Sequence, residues 1–396
     1  MNERPAVAIV GLGAVLPGAA DLEAFWTTVR KGIDCASEPP RGRWVLPPEL
    51  AFAAGGVQPD RVYATRGCFV REFDLDLDGL AIERSRATAF DTMVQFALHA
   101  GGQAWRSART AGIDRSRVGV VLGNIALPTE STSRMADWML GRGYTQALFD
   151  AAGIAAPSDS RTPVRDLDRY VTALPAGVLA RALGLGGGHS TLDAACASSL
   201  FAIARAVAEL QAGRADAMLA GGLSRPDCLY TQMGFAQLHA LSKRGRCAPF
   251  DTMGDGLVVG EGAGIVLLKR LDDALAAGDA IHAVVRATGL SNDVDGSLLA
   301  PSQEGQLRAM RSAYAEAGWD PASVDLIECH ATGTQVGDGI ELRSLRALWA
   351  DAEFAPGQCT IGSVKSNVGH LLTGAGAAGL LKVLLAMRHG VLPPTA

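Results

Sequence analysis

Cys196 lies in Asp193-Ala-Ala-Cys196-Ala-Ser-Ser199, between an apolar run and a helical pattern. A cysteine at a strand-to-helix junction meets unpaired N–H groups and the positive end of the helix dipole, which favour a thiolate. The expectation is a lowered pKa and a nucleophilic sulfur. The small neighbours Ala194, Ala195, Ala197 and Ser198 would let a substrate close in. A buried structural cysteine is the commoner use of the residue, so this segment alone decides nothing. Two others add to it. Cys329-His330-Ala-Thr-Gly-Thr-Gln-Val-Gly-Asp338 carries an apolar strand into a polar loop. Lys365-Ser-Asn-Val-Gly-His370 follows a second apolar strand and precedes a Gly/Ala-rich helical stretch. Active sites in α/β folds gather at such strand ends, and a thiol with two imidazoles suits acyl transfer. Cys329, next to His330 on a strand, would point the opposite way and reads as a core residue.

Other motifs carry less. Gly11-Leu-Gly13 with Gly18 has the wrong spacing for a dinucleotide fingerprint. Gly184-Leu-Gly-Gly-Gly188 lacks the Lys-Ser/Thr of a phosphate loop. His99, His189, His239, His282 and His389 have no ligand-spaced partners. Seven cysteines, at 35, 68, 196, 228, 247, 329 and 359, form neither CxxC pairs nor a secreted disulfide framework. No metal site is expected, and a reducing cytoplasm fits best.

These segments need strands and helices to hold them, and the chain alternates the two. Candidate strands are 7–10, 118–122, 190–194, 217–220, 264–268, 283–289, 326–329 and 360–364. Candidate helices are 21–31, 88–104, 199–211, 305–317, 340–349 and 375–387. Residues 126–170 read as an excursion from the core, a lid or an interface. There is also an internal echo. Ser190–Cys196 followed by Ser199–Gln211 is a strand, a small-residue turn and a helix; Thr360–His370 followed by Ala375–Met387 repeats that plan. Ala283–Gly289 likewise echoes Val7–Gly13. The chain reads as two similar halves joined near Asp272–Gly278, residues 1–273 with the cysteine and 274–396 with the histidines. By that symmetry about two strands are expected beyond Ala396.

Composition agrees. The 396 residues amount to roughly two to three typical domain lengths, enough to bury a large core. Hydrophobic residues are 48% and charged residues 19%, which excludes disorder. Net charge is −5 and the one basic cluster is Lys243-Arg244-Gly245-Arg246, a solvated loop and not a nucleic-acid face. The apolar start Ala6–Leu16, broken by Gly11 and Gly13, reads as a strand and not a signal peptide. No run approaches membrane-helix length, and a soluble protein is expected.

The three segments resemble the motifs of β-ketoacyl synthases, the condensing enzymes of fatty-acid and polyketide assembly. Supporting matches are Val7–Gly13 with Pro17-Gly18, Pro249-Phe-Asp251 and Gly260-Glu-Gly-Ala-Gly264. The phrases Gly245–Asp251 and Glu328–Thr334 look most like synthase domains of iterative type I systems, including polyunsaturated fatty acid synthases. The resemblance covers nearly the whole chain. It implies a thiolase-like α/β fold of five layers, αβαβα, built from two duplicated halves with mixed sheets, usually as a homodimer. It implies that Cys196 accepts an acyl chain from an acyl carrier protein. His330 and His370 would then hydrogen-bond the malonyl thioester carbonyl and assist decarboxylation. Thr332 and Thr334 match hydroxyls that contact the pantetheine arm. Lys365 matches a lysine expected to pair with Glu341 and hold the histidine loop. No cofactor is expected on the chain itself, since phosphopantetheine arrives on the carrier protein.

There are departures. Ala331 replaces the usual glycine and Gly339 the usual proline, which could alter the loop. The family's terminal Gly-Phe-Gly-Gly-type loop does not occur in these 396 residues. The expectation is therefore a piece of a longer multidomain synthase, or one that a partner completes. Two other readings compete: a non-elongating acyl-binding or transacylating module, and a degradative thiolase using coenzyme A. The full Cys196/His330/His370 set argues against the first. The second needs another catalytic cysteine, and Cys359 does not match it.

Overall fold

The computed structural model describes residues 4–71, 73–158, 164–165, 167, 172–295, 300–349, 355 and 357–396. Six strands form the first sheet: β1 (Val7–Val15), β2 (Val118–Gly123), β3 (His189–Leu192), β4 (Ala217–Ser224), β5 (Gly262–Arg270) and β6 (Ala283–Val285). Their order is β3-β2-β4-β5-β1-β6. The sheet is mixed, with β2 parallel to β3 and β4, and β5 antiparallel to β4 and β1. A second, parallel sheet pairs β7 (Leu326–Glu328) with β8 (Thr360–Gly362).

The helices that matter are α1 (Leu22–Arg30), α2 (Thr92–Arg106), α3 (Leu174–Ala182), α4 (Ser198–Gln211), α5 (Gln303–Ala317), α6 (Gln335–Leu348) and α7 (Ala375–His389). Strand β1 shows how the layers form. Val7, Ile9, Leu12 and Ala14 face Ala202, Val207 and Leu210 of α4 and Leu381 and Leu384 of α7. Ala8, Val10 and Val15 face Met93, Phe96 and Ala97 of α2 and Leu179 of α3. The switch from odd to even positions follows from a bulge between Ile9 and Gly11, since one extra residue reverses side-chain alternation. Beyond the bulge the strand lies against α2: a Cβ at Gly11 or Gly13 would come within 2.2 or 1.9 Å of the carbonyl oxygens of Ala104 and Ala100. Close helix packing therefore accounts for the Gly-Leu-Gly run.

On the far side of α4 and α7 stands the second sheet. Its outer face, Ile327 and Ile361, packs on Met310 of α5, Leu345 of α6 and Trp349. The layers run α2/α3, first sheet, α4/α7, second sheet, α5/α6, the expected αβαβα order.

Several boundaries differ from expectation. The 88–104 helix is two, 84–89 and 92–106, because Asp91 caps the second by accepting the Met93 N–H at 3.0 Å. The 283–289 strand stops at Val285 and joins the edge of the first sheet, where only Ala283–Val285 find partners on β1. Helix α6 begins at Gln335 instead of Ile340. Its inner face carries Asp338, Glu341 and Ser344, polar residues that an apolar period cannot reveal. The 126–170 excursion includes helices over 130–136 and 142–152, joined by a π-helical turn over 137–141, with Met139 and Leu140 exposed on the turn and Tyr144 and Leu148 on the second helix. Its residues 159–163, 166 and 168–170 lie outside the described residues. Among the described residues, no helix is long and apolar enough to cross a membrane.

Candidate active site

Cys196 occupies a tight turn between β3 and α4. Asp193 holds the turn by accepting the N–H of Ala195 on one oxygen, 2.9 Å, and that of Ala126 on the other, 2.8 Å. Ser198 Oγ accepts the Ala194 N–H at 2.8 Å and donates to the Ala195 carbonyl at 2.7 Å. Ala195 is forced to φ +49°, a left-handed conformation that alanine rarely adopts. Such local strain is typical where a side chain must be presented at a site.

His370 follows β8 and is anchored to the segment that leads into β5. Its N–H donates to the Val258 carbonyl at 2.7 Å, and its own carbonyl accepts the Gly260 N–H at 2.9 Å. This sets Nε2 3.0 Å from Cys196 Sγ. Nδ1 is buried without a hydrogen-bond partner.

His330 leaves β7 in a loop clamped by two carboxylates from α6. Glu341 accepts the N–H groups of His330 and Ala331 at 2.7 and 2.8 Å. Asp338 accepts those of Thr332, Gly333 and Phe250 at 2.9, 3.2 and 2.9 Å. The imidazoles of His330 and His370 meet edge to face, with ring centroids 5.2 Å apart. Reactive atoms of Cys196, His330 and His370 all fall within 4.8 Å of one another. Such a trio has the donor types of a soft-metal site, but the Lys365 ammonium bears on all three, which opposes a cation and suits thiol–imidazole chemistry.

The electrostatics correct one expectation. Burial raises the Cys196 thiol above its ordinary 9.0, while Lys365 and a backbone hydrogen bond pull it down less strongly. Desolvation in the walled turn outweighs what the helix start offers. Both imidazoles are held neutral. Burial, then His330 and Lys365, push His370 well below 6.5. His330 is open to solvent on one side, yet desolvation by its protein walls and the charge of Lys365 lower it too.

A second correction concerns Lys365 and Glu341, which form no ion pair among the described residues. Both Glu341 oxygens are taken up by the loop amides. Lys365 is buried and borders, with Cys196, His330 and Leu200, a cavity of 470 Å³. Thr332 and Thr334 stand together, hydroxyls 3.0 Å apart. Ala331 sits in ordinary backbone, since it is not among the residues with positive φ, and Gly339 lies within an unbroken α6. Neither departure disturbs the loop. Asp338 was not singled out as a clamp from the sequence. Its signal is the three-residue spacing to Glu341 on one face of a helix that follows a Thr/Gly loop.

With this geometry in hand, residues 4–274 match the family model for the beta-ketoacyl synthase N-terminal domain and residues 282–396 that for the C-terminal domain. Polyketide synthase PksN of Bacillus subtilis is 32% identical over 98% of this chain and 7% of its own length. A polyunsaturated fatty acid synthase polypeptide of Thraustochytrium is 32% identical over 98% of this chain and 14% of its own. The solved PfaC keto synthase-chain length factor superposes with a TM-score of 0.91 at 35% identity, over 99% of this chain and 42% of that one. An oxazolomycin ketosynthase domain from Streptomyces albus gives a TM-score of 0.82 at 29% identity, over 99% of this chain and 66% of that one. The chain thus spans a small part of the curated relatives it matches.

Proposed function

Because the chain belongs to the β-ketoacyl synthase family and has the thiolase-like fold of its structural neighbours, we propose that it joins acyl units by decarboxylative Claisen condensation. The observation that carries this reading is the meeting of the Cys196 thiol with the two neutral imidazoles of His330 and His370.

The Cys196 sulfur attacks the thioester carbonyl of an acyl chain borne on a carrier protein. A new sulfur–acyl bond forms, the pantetheine sulfur–acyl bond breaks, and the thiol proton ends on the departing pantetheine sulfur. His370 Nε2 is within hydrogen-bond reach to relay it. A malonyl thioester then enters, with Thr332 and Thr334 offering hydroxyls to its pantetheine arm. His330 and His370 donate N–H groups to its thioester carbonyl, which stabilises the enolate formed as the carboxylate leaves as CO2. The enolate carbon attacks the Cys196 thioester, a carbon–carbon bond forms, the carbon–sulfur bond to Cys196 breaks, and the departing thiolate takes its proton from water. Burial, with the charge of Lys365 adding to it, keeps both imidazoles neutral, the form that can donate without carrying charge.

Phosphopantetheine, in this reading, arrives on an acyl carrier protein, and the chain needs no cofactor of its own. It works as part of a longer multidomain synthase in the cytoplasm, where its seven unpaired cysteines stay reduced. We read it as halves 1–273 and 274–396, on the repeated strand–turn–helix plan around Cys196 and His370. A homodimer is supported by β3, whose exposed edge has a strand neighbour on one side only among the described residues. The complete trio disfavours a non-elongating module.

The test is sequential. Intact mass after incubation with an acyl carrier protein thioester should show an acyl adduct on Cys196. Labelled CO2 should then be released from malonyl-carrier protein. An adduct with no CO2 release would leave a transacylating module in its place.

A further inference from the structure

Glu328 and Lys382 form a buried ion pair that this chemistry does not use. Lys382 Nζ lies 2.8 Å from Glu328 Oε2, with side chains 2% and 11% exposed. Such a pair is weak evidence for stability, because removing both charges from water offsets much of their attraction. Its position calls for another account. Glu328 ends β7, two residues before His330. Its other oxygen, Oε1, accepts the N–H of Val364, just past the end of β8 on the way to His370. One carboxylate therefore joins the two strand ends from which both histidine loops depart. The surroundings are shaped for it. A Cβ at Gly379 would come within 2.9 Å of Glu328 Cγ, in the middle of α7 where glycine is otherwise unfavourable. Lys382 follows three residues later, on the same face of the helix.

The two histidines are held differently. His370 is fixed to Val258 and Gly260 in the segment that leads into β5, so its seat on Cys196 does not depend on β7. His330 is carried by the end of β7 and by Glu341. We propose that Glu328 is a positioning residue for condensation: by tying Val364 to the end of β7 it sets His330 against His370, so that both imidazoles reach one carbonyl oxygen. This rests on the condensing reading above. It separates the two half-reactions, because acylation needs Cys196 and His370 while decarboxylation needs both histidines.

The experiment compares two neutral double variants, Glu328→Gln/Lys382→Met and Glu328→Leu/Lys382→Met. Both remove the two charges together, so neither strands a buried ion. Glutamine keeps an oxygen for the Val364 N–H and leucine does not. Acylation of Cys196 is read by intact mass and condensation by CO2 release from malonyl-carrier protein. The glutamine variant should keep both within about threefold of wild type, and the leucine variant should keep acylation but lose about tenfold or more of condensation, as small misplacements of catalytic groups do. Should the leucine variant not fold, Glu328→Met/Lys382→Met makes the same comparison with an unbranched side chain. Equal condensation in the glutamine and leucine variants would overturn the inference, as would a parallel fall of acylation and condensation. Wild-type protein that acylates but never releases CO2 would sink the condensing reading itself, and this inference with it.

Discussion

Cys196 Sγ and His370 Nε2 lie 3.0 Å apart although 174 residues separate them in the chain. The contact is built from both sides. The strained turn at Ala195 lifts the sulfur, and the bonds of His370 to Val258 and Gly260 bring the imidazole to it. A nucleophile and an imidazole on separate segments are thereby held in reacting geometry before any substrate arrives.

The first prediction concerns the nucleophile. Cys196→Ala should show no acyl mass shift after incubation with an acyl carrier protein thioester. Of the other cysteines, Cys68, Cys228, Cys247 and Cys329 are buried, and burial pushes the Cys228 and Cys247 thiols up to about 12. Cys35 and Cys359 are half-buried, but burial raises their thiols too and neither borders the cavity that Cys196 faces. An adduct that survives in the variant would remove Cys196 from the mechanism.

The histidines should separate by half-reaction. His370→Ala loses the only imidazole within hydrogen-bond reach of the sulfur among the described residues, so both acylation and condensation should slow. His330→Ala should acylate nearly as wild type and lose condensation by on the order of 10²–10³, the cost of one oxyanion donor in other enzymes. Full chain extension by either variant contradicts these roles.

Acidity supplies a third prediction. The Cys196 thiol is raised by burial, so alkylation by iodoacetamide should still be climbing at pH 9; a plateau near neutral pH would mean a preformed thiolate. His370 behaves oppositely. Its folded pKa lies well below 6.5, so below pH 6.5 the unfolded chain binds the proton that the folded one refuses. Stability should be fully present above pH 6.5 and fall on acidification below it, by at most about 1.4 kcal/mol per pH unit for this group. Melting temperatures between pH 5 and 8 check the sign, and His370→Asn should flatten the slope.

Much of this was legible in the chain itself, and the exceptions have physical causes. Short apolar runs marked the eight strands of the described residues, and the three motif segments marked the site. The partner of Glu341 was not legible, because spacing puts a carboxylate on a helix face without saying whether an ammonium or two amides will reach it. The raised Cys196 thiol was missed because a helix start shows in sequence and the desolvation around it does not. Glu328 opens the segment Glu328–Thr334, yet its role depends on Val364 and Lys382, which only the fold brings to it.

Glu341 yields a fourth prediction. Glu341→Ala strands the N–H groups of His330 and Ala331, each costing about 1–3 kcal/mol if left buried and unpaired. Thermal stability and condensation should fall together. Glu341→Gln retains one acceptor and should fall between alanine and wild type. If Lys365→Met destabilised the loop as much as Glu341→Ala, the amide clamp would not be what holds it.

The last prediction is the assembly. Strand β3 forms one edge of the first sheet, with His189 and Ser190 exposed and only β2 beside it among the described residues. An edge of this kind carries unpaired N–H and C=O groups that invite another strand. A second copy placed by a two-fold axis would offer the same edge and satisfy both, since such an interface is self-complementary. Sedimentation should therefore give a mass near twice 41.1 kDa. Ser190→Lys should weaken the pairing, because charge on an edge strand is how proteins block it. The variant should shift toward 41.1 kDa at micromolar concentration. A wild-type protein that sediments as a clean monomer would show that β3 is left open in solution, and a dimer indifferent to Ser190→Lys would place the interface elsewhere.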